Sequence, residues 1–158
     1  MHELRVSTQH ARALRARGAV ESGRGHYPLL VVLHTAFPIA LAAEVIEGGA
    51  RPPRLWPLAL AALAIAAALR AWSMAALGEL WTARVLVPPG AARVHRGPYR
   101  WLAHPSYLAA AIELAAAPLM FGAWRTALAL SLLNVPLLAA RVRCERRALG
   151  EGKRLSAP

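Results

Sequence analysis

Four long apolar runs, broken by short polar stretches, dominate this chain. They cover residues 28–46, 55–77, 107–121 and 124–140. Within each run the apolar residues are continuous rather than alternating, which specifies helices rather than strands. A bilayer core of roughly 30 Å needs roughly 20 helical residues, and the first two runs meet that length. The last two are shorter and are joined only by a turn at Gly122, so they form a tight helical hairpin. The fourth helix continues through a basic segment to about residue 149. The fold class predicted is all-α: an integral membrane bundle of about four transmembrane helices, over residues 28–46, 55–77, 107–121 and 124–149. Pro38, Pro118 and Pro136 are expected to kink or break their helices. Trp56, Trp72, Trp81, Trp101 and Trp124 fall near helix ends, as interfacial anchors do.

Residues 1–26 are polar and arginine-rich. They read as a basic arm preceding a membrane domain over 27–158, either disordered or forming an amphipathic helix on the membrane through Leu4, Ala11 and Leu14. No secretory signal pattern precedes the first apolar run.

Composition sharpens this picture. The 158 residues are 57% hydrophobic with mean hydropathy +0.37, above the apolar share of a soluble domain. There is no Asp, and the formal net charge is +11. Nucleic acid is the other usual partner of such charge, but the long apolar runs point to anionic lipid head groups instead. The single Cys144 rules out an internal disulfide framework and a Cys-rich zinc site, and no metal is expected. Basic residues cluster in the N-terminal arm (Arg5, Arg12, Arg15, Arg17, Arg24), the central loop (Arg84, Arg93, Arg96, Arg100) and the tail (Arg141, Arg143, Arg146, Arg147, Lys153, Arg154). Arg51, Arg54 and Arg125 lie on the other side. The positive-inside rule then puts both termini and the central loop of a multi-pass protein on the cytoplasmic side, and a cell inner membrane is the expected location.

The polar residues that stand out gather on that cytoplasmic side. His104-Pro105-Ser106-Tyr107 follows Gly97-Pro98-Tyr99-Arg100 at a membrane boundary. His before Pro is an ordinary helix start, with Pro in the first turn. Tyr99, Trp101 and Tyr107, interleaved with Arg96, Arg100 and His104, also suit a cation with a carboxylate nearby. Arg141 and Glu145 are four apart on one helical face, as Leu149 is. They read either as a juxtamembrane surface pair or as part of that site. Within the apolar runs, His34, Glu44, Glu113 and Asn134 draw attention because intramembrane polar groups are functional suspects. His34 and Glu44 lie roughly 80° apart on one helix. Glu44 also fits the outer interface beside Glu47, and Asn134 fits helix–helix hydrogen bonding. Glu113 must be paired, protonated or facing a cavity.

Taken together, Gly97 to Tyr107, a hairpin, and Arg141 to Leu149 resemble the isoprenylcysteine carboxyl methyltransferase family, from about Leu77 onward. That family and the related phospholipid methyltransferases are integral membrane enzymes that use S-adenosylmethionine. The family pattern is Gly-x-Tyr, Arg-His-Pro-x-Tyr, then Arg followed by a Glu-Glu pair and Leu. Two positions depart from it: Ala103 stands for the Arg before His-Pro, and Arg146 for the second Glu. Tyr27-Pro28, His34, Phe37, Glu44, Leu77 to Thr82, Pro88-Pro89-Gly90 and Glu113 resemble small bacterial methyltransferases encoded beside type III polyketide synthases, which O-methylate long-chain alkylpyrones or alkylresorcinols.

The resemblance implies a cytoplasmic S-adenosylmethionine site built from Tyr99, Arg100, His104, Pro105, Tyr107, Arg141 and Glu145. It implies His104 or Glu113 as the catalytic base, with Arg100 replacing the missing Arg at 103 and Tyr99, Trp101 or Tyr107 shielding the adenine or sulfonium. The acceptor is a lipophilic small molecule arriving from the bilayer, and a type III polyketide synthase is the expected functional partner. Carboxyl or phospholipid methyl transfer, an NADPH-dependent reductase of the sterol-reductase type, and a non-enzymatic membrane adaptor are the competing readings.

Overall fold

The computed structural model describes residues 2–23, 25–48 and 51–155. Arg24 lies outside them, as do the side chains of Lys153 and Arg154. The described chain runs α1 (His2–Ala16), β1 (Val20–Ser22), α2 (Tyr27–Gly48), α3 (Trp56–Leu77), β2 (Val85–Val87), α4 (Pro105–Met120) and α5 (Trp124–Leu155). Short 3₁₀ turns lie at Gly78–Leu80 and Gly97–Arg100. It is a mainly helical bundle, and three of its helices are long and apolar enough to cross a membrane.

The packing order is α3 on α4, α4 on α5, and α5 on α2. Small residues make the α3–α4 contact close. Ala66, Ser73 and Ala109 have no exposed surface, and close backbone approach is what small side chains allow where water drives nothing together. Leu33, Leu114 and Leu130 form the core between α2, α4 and α5, with Phe37 and Leu137 around it. Outward, Leu58, Ile65, Leu132 and Val135 are well exposed, as a lipid-facing surface requires. At 1.5 Å per residue α4 is roughly 24 Å long, short of a full span, whereas α5 is roughly 48 Å and runs out past the bilayer.

The prolines do not break the helices. Pro38 and Pro136 sit inside continuous α2 and α5, and Pro118 falls in the last turn of α4. A single tight turn joins α4 to α5. Gly122 holds φ +78° there, and a Cβ on it would lie 3.1 Å from the Arg51 carbonyl. Glu44 closes the same end of the bundle. Its carboxylate accepts the backbone N–H of Thr126 (2.6 Å) and Arg125 (3.0 Å), two of the N–H groups that a helix start leaves unpaired. Glu44 is therefore a cap on α5. Asn134 is buried between helices.

The N-terminal segment departs from the expectation of a loose arm or a helix on lipid. Residues 2–16 are helical, and the apolar stripe packs on the protein itself. Ala11 and Leu14 are buried against Leu86 of β2, with Ala19 and Leu80 around them. Leu4 remains exposed. Polar contacts fasten the same face. Ser7 Oγ accepts from the Ala83 amide (2.9 Å), and the His10 ring bonds the Trp81 carbonyl (2.9 Å). The antiparallel pair β1–β2, with Val20 opposite Val87, was not expected from the sequence. Glu21 on β1 is held by Arg84 (2.5 Å) and Arg15 (2.8 Å). Burial would raise the Glu21 pKa, but the two guanidiniums outweigh it and hold the carboxyl below its ordinary range.

Candidate cofactor cleft

The start of α4 and the extension of α5 meet beside the loop between α3 and α4, and this junction gathers most of the residues singled out by sequence. His104 caps α4 with non-helical backbone (φ −142°, ψ 65°), and Pro105 opens the helix. Pro105 is fully buried, so its role is to fix the entry of α4. Tyr107, one turn on, stacks its ring parallel to the His104 ring, with centroids 5.4 Å apart.

Glu145, from the extension of α5, closes the group. The Tyr107 hydroxyl donates to Glu145 Oε2 (2.9 Å), and His104 Nδ1 lies 3.4 Å from the same oxygen. Arg141, one turn before Glu145, is buried. Its guanidinium lies over the Tyr107 ring at 5.2 Å and donates to the Ala83 carbonyl (2.8 Å). Four elements are thereby tied together: α4, α5, the strand loop and, through Ser7 on Ala83, α1.

His104, Tyr107 and Glu145 border a cavity of about 140 Å³, with Trp81, Arg93 and Tyr99 also in its wall; Pro105 and Arg141 lie outside its lining. Tyr99 bonds Ser106 (3.1 Å). Burial, with the Glu145 charge adding to it, raises the Tyr99 pKa, so the phenol stays protonated. His104 shifts the other way. Burial lowers its pKa below 6.5, and Arg93 and Arg146 add to that against the opposing Glu145. The imidazole is neutral at pH 7, with one donor and one acceptor nitrogen. Two buried nitrogens here have no hydrogen-bond partner, His104 Nε2 and Arg141 Nε. A buried polar atom left without a partner is costly, so His104 Nε2, in the cleft wall, is prepared for a polar ligand. An aromatic wall, a carboxylate and buried cationic or imidazole nitrogens fit the zwitterionic, cationic S-adenosylmethionine.

Two more of the expected residues lie outside this cavity. Arg100 is exposed and lies over the Trp101 ring at 5.8 Å, away from the cavity lining. Arg93 lines the cleft instead and donates to the Ala103 carbonyl (3.3 Å). Trp101 is also exposed, packing on Trp72 at 5.8 Å, and Trp81 supplies the aromatic wall. The turn holding Trp101 is pinned to α3 because Gly97 (φ +58°) passes the Ala76 side chain so closely that a Cβ would lie 2.7 Å from it. The Arg96 guanidinium bonds the Ala76 carbonyl (2.6 Å).

Glu113 is not in this cleft. It forms a two-pronged ion pair with Arg70 of α3. Arg70 Nε donates to Oε1 (2.8 Å), and a terminal nitrogen donates to Oε2. The pair and His34 line a second cavity of about 710 Å³. Arg70 is the residue that sequence reasoning passed over. Its signal was plain, since an arginine inside a transmembrane run needs a partner.

The chain belongs to the isoprenylcysteine carboxyl methyltransferase family, whose model matches residues 58–151. That match runs from α3 through the cleft to the extension of α5, so this is a membrane protein of a methyltransferase family. The chain is 35% identical over 150 residues to YpbQ of Bacillus subtilis strain 168, described as uncharacterized, covering 94% of this chain and 89% of YpbQ. It is 28% identical over 149 residues to a protein of Haemophilus influenzae strain Rd, also described as uncharacterized, covering 94% and 87% of the two chains. No solved structure matches the chain.

Proposed function

We propose that this protein transfers a methyl group from S-adenosylmethionine to a hydroxyl of a lipophilic acceptor. The acceptor we favour is a long-chain alkylpyrone or alkylresorcinol, the kind of product a type III polyketide synthase supplies. The observation that carries the reading is the junction of His104, Tyr107, Arg141 and Glu145, where the two family motifs meet and two buried nitrogens are unpartnered. The arginine distribution supports a multi-pass arrangement in the inner membrane with both termini and this cleft cytoplasmic.

Arg141 holds the cofactor's carboxylate side and Glu145 accepts from its ammonium or ribose, while His104, whose Nδ1 faces Glu145, keeps Nε2 for the acceptor. Tyr99, Tyr107 and Trp81 form the wall against the adenine and sulfonium. Bound S-adenosylmethionine supplies an electrophilic methyl on a positively charged sulfur. The protein's own part is positioning, exclusion of water and removal of one proton. The acceptor oxygen loses its proton as it takes the methyl. A phenol with an ordinary pKa of about 10 needs a base for this, and neutral His104 offers Nε2. Glu113, locked to Arg70, does not serve as that base.

The test is transfer of radiolabelled methyl from S-adenosylmethionine in membranes containing the protein. Labelled alkylresorcinol or alkylpyrone monomethyl ether is the expected product, lost in His104→Gln. Label appearing only on fatty acids or phospholipids would refute the acceptor assignment.

A further inference from the structure

The second cavity is large and polar at one spot, and it lies on the same two helices as the cleft. Its volume, about 710 Å³, falls in the range of sites that hold small molecules. On α3 it is lined by Ala67, Arg70 and Met74, and on α4 by Ala110 and Glu113. The same helical stripes continue into the cofactor cleft, with Leu77 one turn beyond Met74 and Tyr107 one turn beyond Ala110. Glu113 is thus roughly 9 Å along the helix from Tyr107. The two cavities share no lining residue, but both lie along α3 and α4, about two helical turns apart.

The charge at that spot is already balanced. Arg70 is the cavity's one guanidinium among the described residues, and both oxygens of Glu113 are bonded to it. Glu3, reaching in from α1, adds a second carboxylate. His34 uses Nδ1 on the Leu30 carbonyl (2.8 Å), which leaves Nε2 for a ligand. A carboxylate ligand would have to displace Glu113 or sit unpaired beside two like charges, in surroundings where an unpaired charge is expensive. A hydroxyl meets no such cost. It donates to a carboxylate oxygen of Glu113 and accepts from Arg70.

We infer that this cavity is the head-group site of the methyl acceptor, and that the Arg70–Glu113 pair with His34 selects an uncharged, hydroxyl-bearing amphiphile over a carboxylate. This rests on the methyltransferase reading and narrows it, because it turns the chain away from the carboxyl substrates in its family's name. Arg70 and Glu113 are specificity-determining residues here and do not act on the reacting atoms.

The experiment measures binding to the full chain in lipid nanodiscs with two probes of similar chain length, pentadecylresorcinol and palmitate. S-adenosylhomocysteine binding is measured alongside. The resorcinol is expected to bind at least about tenfold more tightly, since a polar site rejects a ligand that leaves its groups mismatched. Replacing the whole pair, Arg70→Met with Glu113→Met, removes both charges at little cost to folding. It is expected to lose about tenfold of resorcinol affinity while S-adenosylhomocysteine still binds. If that variant does not fold, Glu113→Gln decides: freeing Arg70 lets palmitate gain on the resorcinol. Equal or tighter palmitate binding to the unaltered protein, or an unchanged ratio in the variants, overturns the inference. Loss of S-adenosylhomocysteine binding with the ratio intact would instead refute the cofactor reading alone.

Discussion

The Tyr107 hydroxyl donates to Glu145 Oε2 across 2.9 Å, joining the first turn of α4 to the extension of α5. The two residues are 38 positions apart. Between them lie the whole α4–α5 hairpin and its Gly122 turn. This hydrogen bond helps to fasten the open end of the hairpin, and the oxygen that accepts it also faces His104.

Tyr107→Phe tests how much this bond positions Glu145. The ring keeps its stack on His104 and its place under Arg141, so folding is retained. Losing a hydrogen bond to a charged acceptor costs about 1.5–3 kcal/mol. S-adenosylhomocysteine affinity measured by calorimetry is expected to fall by about ten- to a hundredfold. Affinity equal to that of the unaltered protein would mean that Tyr107 only packs.

His104 makes stability depend on pH in a defined direction. Its folded pKa lies below the ordinary 6.5, chiefly through burial, so the unfolded chain binds more protons in that window. Its contribution is fully present above about pH 6.5 and is lost as pH falls toward the folded value. Melting of the unaltered protein should therefore weaken more between about pH 7.5 and pH 5.5 than melting of His104→Gln. Parallel curves would contradict the buried, neutral imidazole.

The N-terminal helix offers a third check. Leu14 is 1% exposed against Leu86, and a buried Leu→Ala change costs about 2–5 kcal/mol. That loss is expected to release α1 locally rather than unfold the bundle, because few other apolar contacts hold it. Trypsin should then cut at Arg12, Arg15 and Arg17 far faster in Leu14→Ala than in the unaltered protein. Equal cleavage rates would place α1 off the protein surface.

The bundle was legible because lipid imposes length and continuity on its helices, and 28–46, 55–77 and 124–149 differ from α2, α3 and the α5 span by few residues. The meeting of His104 and Glu145 was implied by the family resemblance; helical spacing alone set Arg141 and Glu145 on one face and suited a surface pair as well. Other features depend on tertiary contact that no local pattern encodes. Strands of three residues, as in β1 and β2, carry no periodicity. The same apolar stripe through Ala11 and Leu14 suits a membrane surface or Leu86 equally well. Arg93 lines the cleft and donates to the Ala103 carbonyl, while Arg100 lies outside it, a difference that no local pattern in the loop encodes. Glu113 was marked as needing a partner, and the partner, Arg70, lies 43 residues earlier in the chain.

The most direct test is calorimetric titration of the detergent-purified protein with S-adenosylhomocysteine, beside its Glu145→Gln variant and with NADPH as comparator. Saturable S-adenosylhomocysteine binding that disappears in the variant, with NADPH giving no heat, is the expected result. Binding to NADPH alone, or S-adenosylhomocysteine binding that survives Glu145→Gln unchanged, would contradict the assignment of the cleft.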